Sequence, residues 1–136
     1  MEKLHFTAAD GALSLVSSLL ASGAELDVHD DLGYTPLHYA AKHDHYKIAE
    51  LLINHGADVN ANDEERIGET PLAVAVRSAS PGLVELLLQK GADPTISGWM
   101  GLTALDRATK RRDEDGVEIQ RLLALRVHGG TTSREL

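Results

Sequence analysis

Leu4, Leu37, Leu72 and Leu105 stand 33, 35 and 33 residues apart, and the text around them returns with them. Nineteen residues after each of the first three comes Gly-Ala followed by an acidic residue: Gly23-Ala24-Glu25, Gly56-Ala57-Asp58 and Gly91-Ala92-Asp93. The stretch YTPLHYAA at 34–41 reappears as ETPLAVAV at 69–76 and weakly as LTALDRAT at 102–109. A period of this length constrains the fold more than any local motif. A unit so short cannot bury an apolar face alone, so successive copies must stack and share one continuous core.

Each recurring feature has a mechanical reading. Thr35 and Thr70 suit a helix N-cap, where the hydroxyl accepts a bond from an orphan backbone N–H. Pro36 and Pro71 then fall at the first helical position, where a missing N–H removes nothing. A short Ala-rich helix follows. A second helix offers Ile48, Leu51 and Leu52 in one copy and Leu83, Leu86 and Leu87 in the next. Gly23, Gly56 and Gly91 fit the left-handed position just past a helix end. The polar segment that leads to the next Thr reads as a β-turn or hairpin finger.

Thr-Pro-Leu-His at 35–38, set in this 33-residue frame, resembles the ankyrin repeat, a unit of hairpin, helix, turn and helix. The resemblance covers residues 2–127. It implies an all-α solenoid of four ankyrin repeats joined by hairpin-like fingers. The units fall at about 1–29, 30–62, 63–97 and 98–128, forming a single domain over 1–128 and leaving 129–136 as a mobile tail. The first copy lacks Thr-Pro and is expected to be an N-terminal cap. Two extra residues enter near Asn62-Asp63-Glu64. The family's usual inter-helix Gly is replaced by Asp44, Ala79 and Arg112, and KRRDEDG at 110–116 lengthens the link to a last helix over 117–127. In that helix Ile119, Leu122 and Leu123 face the core, while Glu118, Gln120, Arg121 and Arg126 face outward.

Composition excludes several functions. The net charge of −8 argues against a general affinity for nucleic acid, which needs a basic surface. The charge is uneven: residues 1–100 carry 6 Lys/Arg against 15 Asp/Glu, and residues 101–136 carry 7 against 6. With no Cys there is no disulfide, thiolate nucleophile or zinc–cysteine site. The first residues lack a secretory signal pattern, and no apolar run approaches the ~18 residues of a membrane span. A cytoplasmic, monomeric protein without cofactor is expected.

Thr35, His38 and nearby acidic residues could suggest a catalytic cluster, but the equivalent of His38 in unit three is Ala73. The pattern therefore follows folding, and the chain is expected not to be an enzyme. The resemblance implies that His38 ties neighbouring loops together through its ring nitrogens. His43-Asp44-His45 carries metal-ligating side chains, but no third partner is legible. Its simpler reading is a solvated turn, and metal binding there is the alternative.

The resemblance also locates the binding surface, on the fingers and the outward end of the first helix of each unit. These are Asp31, Leu32 and Tyr34 in unit two, Arg66, Ile67 and Glu69 in unit three, and Trp99, Met100 and Leu102 in unit four. The helix-one row is Lys42 and His43, Arg77 and Ser78, then Lys110 and Arg111. Apolar and aromatic residues on fingers suggest an interaction site, although Ile67 and Leu102 could instead pack on a neighbouring finger. The row is basic within an acidic chain. A partner protein with an apolar centre and an acidic flank would match both. The build is similar to that of four-repeat ankyrin inhibitors of kinases, which implies a stoichiometric inhibitor or immunity-type factor. A scaffold or adaptor is the alternative.

Overall fold

The computed structural model describes residues 3–135, with side chains through Val127. Four helix pairs follow one another: α1 (Lys3–Asp10) with α2 (Leu13–Ala21), α3 (Pro36–Lys42) with α4 (Tyr46–Asn54), α5 (Pro71–Ser78) with α6 (Pro81–Gln89), and α7 (Ala104–Ala108) with α8 (Glu114–Glu135). A short 3₁₀ turn at Trp99–Gly101 precedes α7. The first helices stack as α1, α3, α5, α7, and the second helices form a parallel row behind them.

Local chemistry sets the helix starts. Thr70 and Thr103 accept from the N–H of Ala73 and Asp106 at 3.1 and 3.2 Å. In units two and four the third helical residue reciprocates. His38 Nδ1 accepts the Thr35 N–H at 2.9 Å and Asp106 accepts the Thr103 N–H at 2.9 Å, a capping box with His or Asp in the usual Glu position. Gly56 and Gly91 have φ of +100° and +98° at the ends of α4 and α6, as a left-handed cap requires.

Between pairs the chain forms tight turns, and no strand is present among the described residues. The second finger closes with Asp30 N–H to Tyr34 O and Gly33 N–H to Asp30 O, both 2.9 Å. The fourth repeats this with Gly98 N–H to Leu102 O and Gly101 N–H to Gly98 O, again 2.9 Å. Gly98 lies so close to the third finger that a Cβ there would stand 2.6 Å from Gly68 O.

One continuous core runs through the stack. Leu37, Leu52, Leu72, Leu83, Leu87, Ile119 and Leu123 are buried where the leucine frame puts them. The last helix differs from expectation. It begins at Glu114, so the link from α7 is only residues 109–113. Gln120 turns inward and donates to Ala108 O at 3.0 Å, whereas Glu118, Arg121 and Arg126 stay on the outer side. No break marks the expected tail: the helical backbone continues to Glu135, and Leu136 lies outside the described residues.

Candidate functional site

The fingers are held by contacts that repeat from unit to unit. His5 Nε2 lies 2.7 Å from Val28 O and 3.0 Å from Tyr34 O, so unit one reaches the finger of unit two. His38 Nε2–H donates to Glu69 O at 2.6 Å, so unit two reaches the finger of unit three. Because Nδ1 accepts from Thr35, His38 is the neutral Nε2–H tautomer. Burial pushes its pKa down to about 4. His5 stands 33 residues before His38 and does the same work. Leu4-His5 against Leu37-His38 was the signal for it in the sequence.

Around these imidazoles lies a buried polar cluster. The Tyr34 ring stacks on His38 with centroids 5.0 Å apart. Tyr39 donates its hydroxyl to Asp30, which also accepts the N–H groups of Leu32 and Tyr34 at 3.0 and 2.9 Å. Burial works to raise the Asp30 pKa, but these donors outweigh it and the carboxyl titrates below its usual range. Arg66 reaches across to donate to Asp30 O.

The third finger is tied differently. Ala73 occupies the position of His38, so no imidazole extends to the fourth finger. Instead Glu69, 2% exposed, accepts from two arginines: Arg107 at 2.8 Å and Arg77 at 2.9 Å. Arg107 also donates to Trp99 O at 3.2 Å. Its Nε has no hydrogen-bond partner. Arg107 lies in the frame position of Tyr39 and Val74, a buried register, and was not singled out from the sequence. A charge in a register occupied by core residues was the available clue.

Several expected site residues are therefore not free. Tyr34 is 7% exposed and belongs to the core, because its ring stacks on His38. Glu69 is buried as the centre of an ion cluster. Arg111 is fixed by Val76 O at 3.3 Å, Ala79 O at 2.7 Å and Asp113 at 2.9 Å, so its guanidinium braces the α7–α8 link. Ile67 and Leu102 are half-buried. Asp31, Leu32, Lys42, His43, Arg66, Arg77 and Lys110 are exposed. Trp99 and Met100 are the most prominent, at 55% and 73% exposed.

Two groups emerge. Arg66, Ile67, Trp99 and Met100 line one groove of about 350 Å³ with Glu64 and Gly68. Arg77, Leu102, Arg107, Lys110 and Arg111 line a second of about 200 Å³. The residues of 43–45 go separate ways. Asp44 takes φ +58° and accepts from Ser80 N–H and Oγ at 3.1 Å, which explains Asp in place of Gly. His45 Nε2 meets Ala9 O at 3.0 Å, while His43 stays in solvent. No set of three metal-ligating side chains gathers among the described residues.

The ankyrin-repeat family model matches residues 4–98 as three copies. The chain belongs to the ankyrin-repeat family. The fourth helix pair lies beyond that match, where Ala104 and Asp106 replace the Pro and His of the motif.

The curated relatives that it matches align with less than half of this chain. An ankyrin and IPT/TIG repeat-containing protein of Schizosaccharomyces pombe is 44% identical over 54 residues, 40% of this chain and 5% of that protein. An ankyrin repeat and LEM domain-containing protein 1 homolog of Caenorhabditis elegans is 41% identical over 66 residues, 46% of this chain and 9% of that protein. A mouse palmitoyltransferase, ZDHHC13, is 40% identical over 63 residues, again 46% of this chain but 10% of the relative. The matched segments are thus a tenth or less of each relative's length. Ankyrin repeats are in general protein-binding modules, and no described helix is long and apolar enough to cross a membrane.

Proposed function

We propose that this ankyrin-repeat chain binds a partner protein through its fingers and concave face, with Trp99 and Met100 as the anchor, and that it inhibits the partner by occupying its surface. One observation carries the reading: a large apolar pair projects from a turn whose backbone is fixed. Main-chain bonds between Gly98, Gly101 and Leu102 hold that turn, and the Arg107 guanidinium donates to the Trp99 carbonyl. Met100 takes φ +61°, an unusual conformation for a side chain of its size. An apolar anchor already held in place loses little freedom on binding, and Trp is enriched among residues that dominate interfaces. Leu32 and Ile67 extend the apolar surface along neighbouring fingers. Lys42, Arg77 and Lys110 supply a basic flank suited to an acidic partner.

The test is affinity capture with the wild-type chain and with Trp99→Ala, followed by calorimetry on the recombinant partner. Trp99→Ala should weaken binding by about 2 kcal/mol or more, the scale of an interface hot spot. The partner's own activity, measured against rising amounts of the chain, should fall to zero at one equivalent. Unchanged affinity for both Trp99→Ala and Met100→Ala would remove the anchor. Undiminished partner activity at saturation would make the chain an adaptor.

A further inference from the structure

We propose that the cavity between α5 and α7 is an oxyanion pocket, which takes a carboxylate or phosphoryl group carried by the partner. Four cationic side chains line it, Arg77, Arg107, Lys110 and Arg111, with Leu102 as an apolar wall. Among the described residues no carboxylate lines it. In a chain of net charge −8 this concentration of positive charge is local.

The three arginines are fixed in place. Glu69 stands behind Arg77 and Arg107 and holds both guanidiniums. It answers the charge of one of them, and Asp106 on α7 lies within electrostatic reach of Arg107 and Lys110. The carbonyls of Val76 and Ala79 hold Arg111, whose charge is answered by Asp113 at 2.9 Å and Asp115 at 3.7 Å. The Lys110 ammonium makes neither hydrogen bond nor ion pair among the described residues, and the residue is exposed. Arg107, 7% exposed, keeps an Nε with no partner. Arginines held rigidly present forked donors that match the geometry of an oxyanion, and poor solvation strengthens the attraction. At about 200 Å³, against about 30 Å³ per water molecule, the cavity admits one such group and a few waters.

The global charge indicates how the anion arrives. A net negative chain repels small free anions, so a free oxyanion binds weakly. One attached to a protein already docked on the fingers arrives at high effective concentration. The pocket adjoins the anchor: Leu102 belongs to the fourth finger, and Arg107 bonds the Trp99 carbonyl. That the anion belongs to a partner rests on the function proposed above, whereas the pocket's affinity for oxyanions stands on its own geometry.

The experiment is a nitrogen-15 NMR titration of the full chain, following the arginine Nε–H signals at constant ionic strength. Sodium phosphate is added in one series and sodium glutarate in another. Arg77 and Arg107 should shift and saturate in at least one series, and the series that saturates more tightly names the anion. Arg121, already paired with Glu118 on the outer face, should not follow. Lys110→Gln should weaken the saturating affinity roughly fivefold, the scale of one exposed charge, without moving the melting curve. Non-saturating shifts, equal shifts at Arg121, or an unaffected Lys110→Gln would overturn the pocket. A silent pocket alongside loss of partner capture in Trp99→Ala would leave the binding function standing. Saturation alongside intact capture would reject the anchor alone.

Discussion

The junctions on the two sides of unit three perform one task by opposite means. On the near side a neutral imidazole, His38, donates to the main chain of the next finger. On the far side that residue is Ala73, and a buried carboxylate between two arginines holds the fourth finger. The neutral junction is filled by the stacked rings of Tyr34 and His38. The ionic junction needs cations on both helices, Arg77 on α5 and Arg107 on α7, which share one buried carboxylate. Thus the junction that lost the repeat's histidine is also the one that displays charge and supports the exposed Trp99 turn. Departure from the repeat pattern marks where a neutral contact between units gives way to an ionic one.

The largest effect should come from breaking the ionic junction. Glu69→Ala leaves Arg107 buried without its counter-charge, a loss of about 3–5 kcal/mol for a buried pair broken on one side. Glu69→Met combined with Arg107→Leu should recover most of it, since burying neither charge removes the desolvation penalty. Urea denaturation checks both. A single-variant loss under about 1 kcal/mol, the range of surface pairs, would show that the far junction does not depend on this cluster.

The neutral junction should fail with acid. His38 is held to about 4 against an ordinary 6.5, so the folded chain binds fewer protons than the unfolded chain between these values. Stability contributed by the neutral ring is complete above pH 6.5 and declines as pH falls toward 4. The loss should be roughly 2 kcal/mol at pH 5. His38→Gln should be less stable at pH 7 but flatter across this window. Equal slopes for wild type and variant in melts at pH 7 and pH 5 would reject the assignment.

A control lies in the frame that both junctions share. Gly56→Val forces a β-branched residue into φ +100° and should lose about 1–3 kcal/mol, whichever junction is intact. The smallest effect belongs to Trp99→Ala. With the ring in solvent, its melting curve should stay within about 0.5 kcal/mol of wild type. The free protein's emission should be red-shifted and readily quenched. A blue-shifted, quencher-resistant emission would place the ring in the core.

The frame was legible in the sequence because stacking demands repetition. Leu4, Leu37 and Leu72 mark the buried stripe and half-buried Leu105 continues it, Thr and Pro mark helix starts, and Gly marks helix ends, each a local rule with a local cause. The exposure of Trp99 and Met100 was legible for the same reason, since their place in the fourth finger follows from counting. Tyr34 and Glu69 occupy equivalent finger positions, directly before the capping Thr, yet both are buried. What buries them comes from other units: His38 stacks under Tyr34, while Arg107, 38 residues after Glu69, closes over it. Gln120 likewise turned inward because the last helix starts at Glu114 and α7 leaves carbonyls that need a donor.

By itself the sequence determined the number of helix pairs, their register and the leucine stripe of the shared core, because those depend on spacing along the chain. Only the tertiary structure decided which polar side chains are buried and which cations meet around one cavity. Burial and charge pairing depend on distances between units, and no spacing rule within a unit contains them.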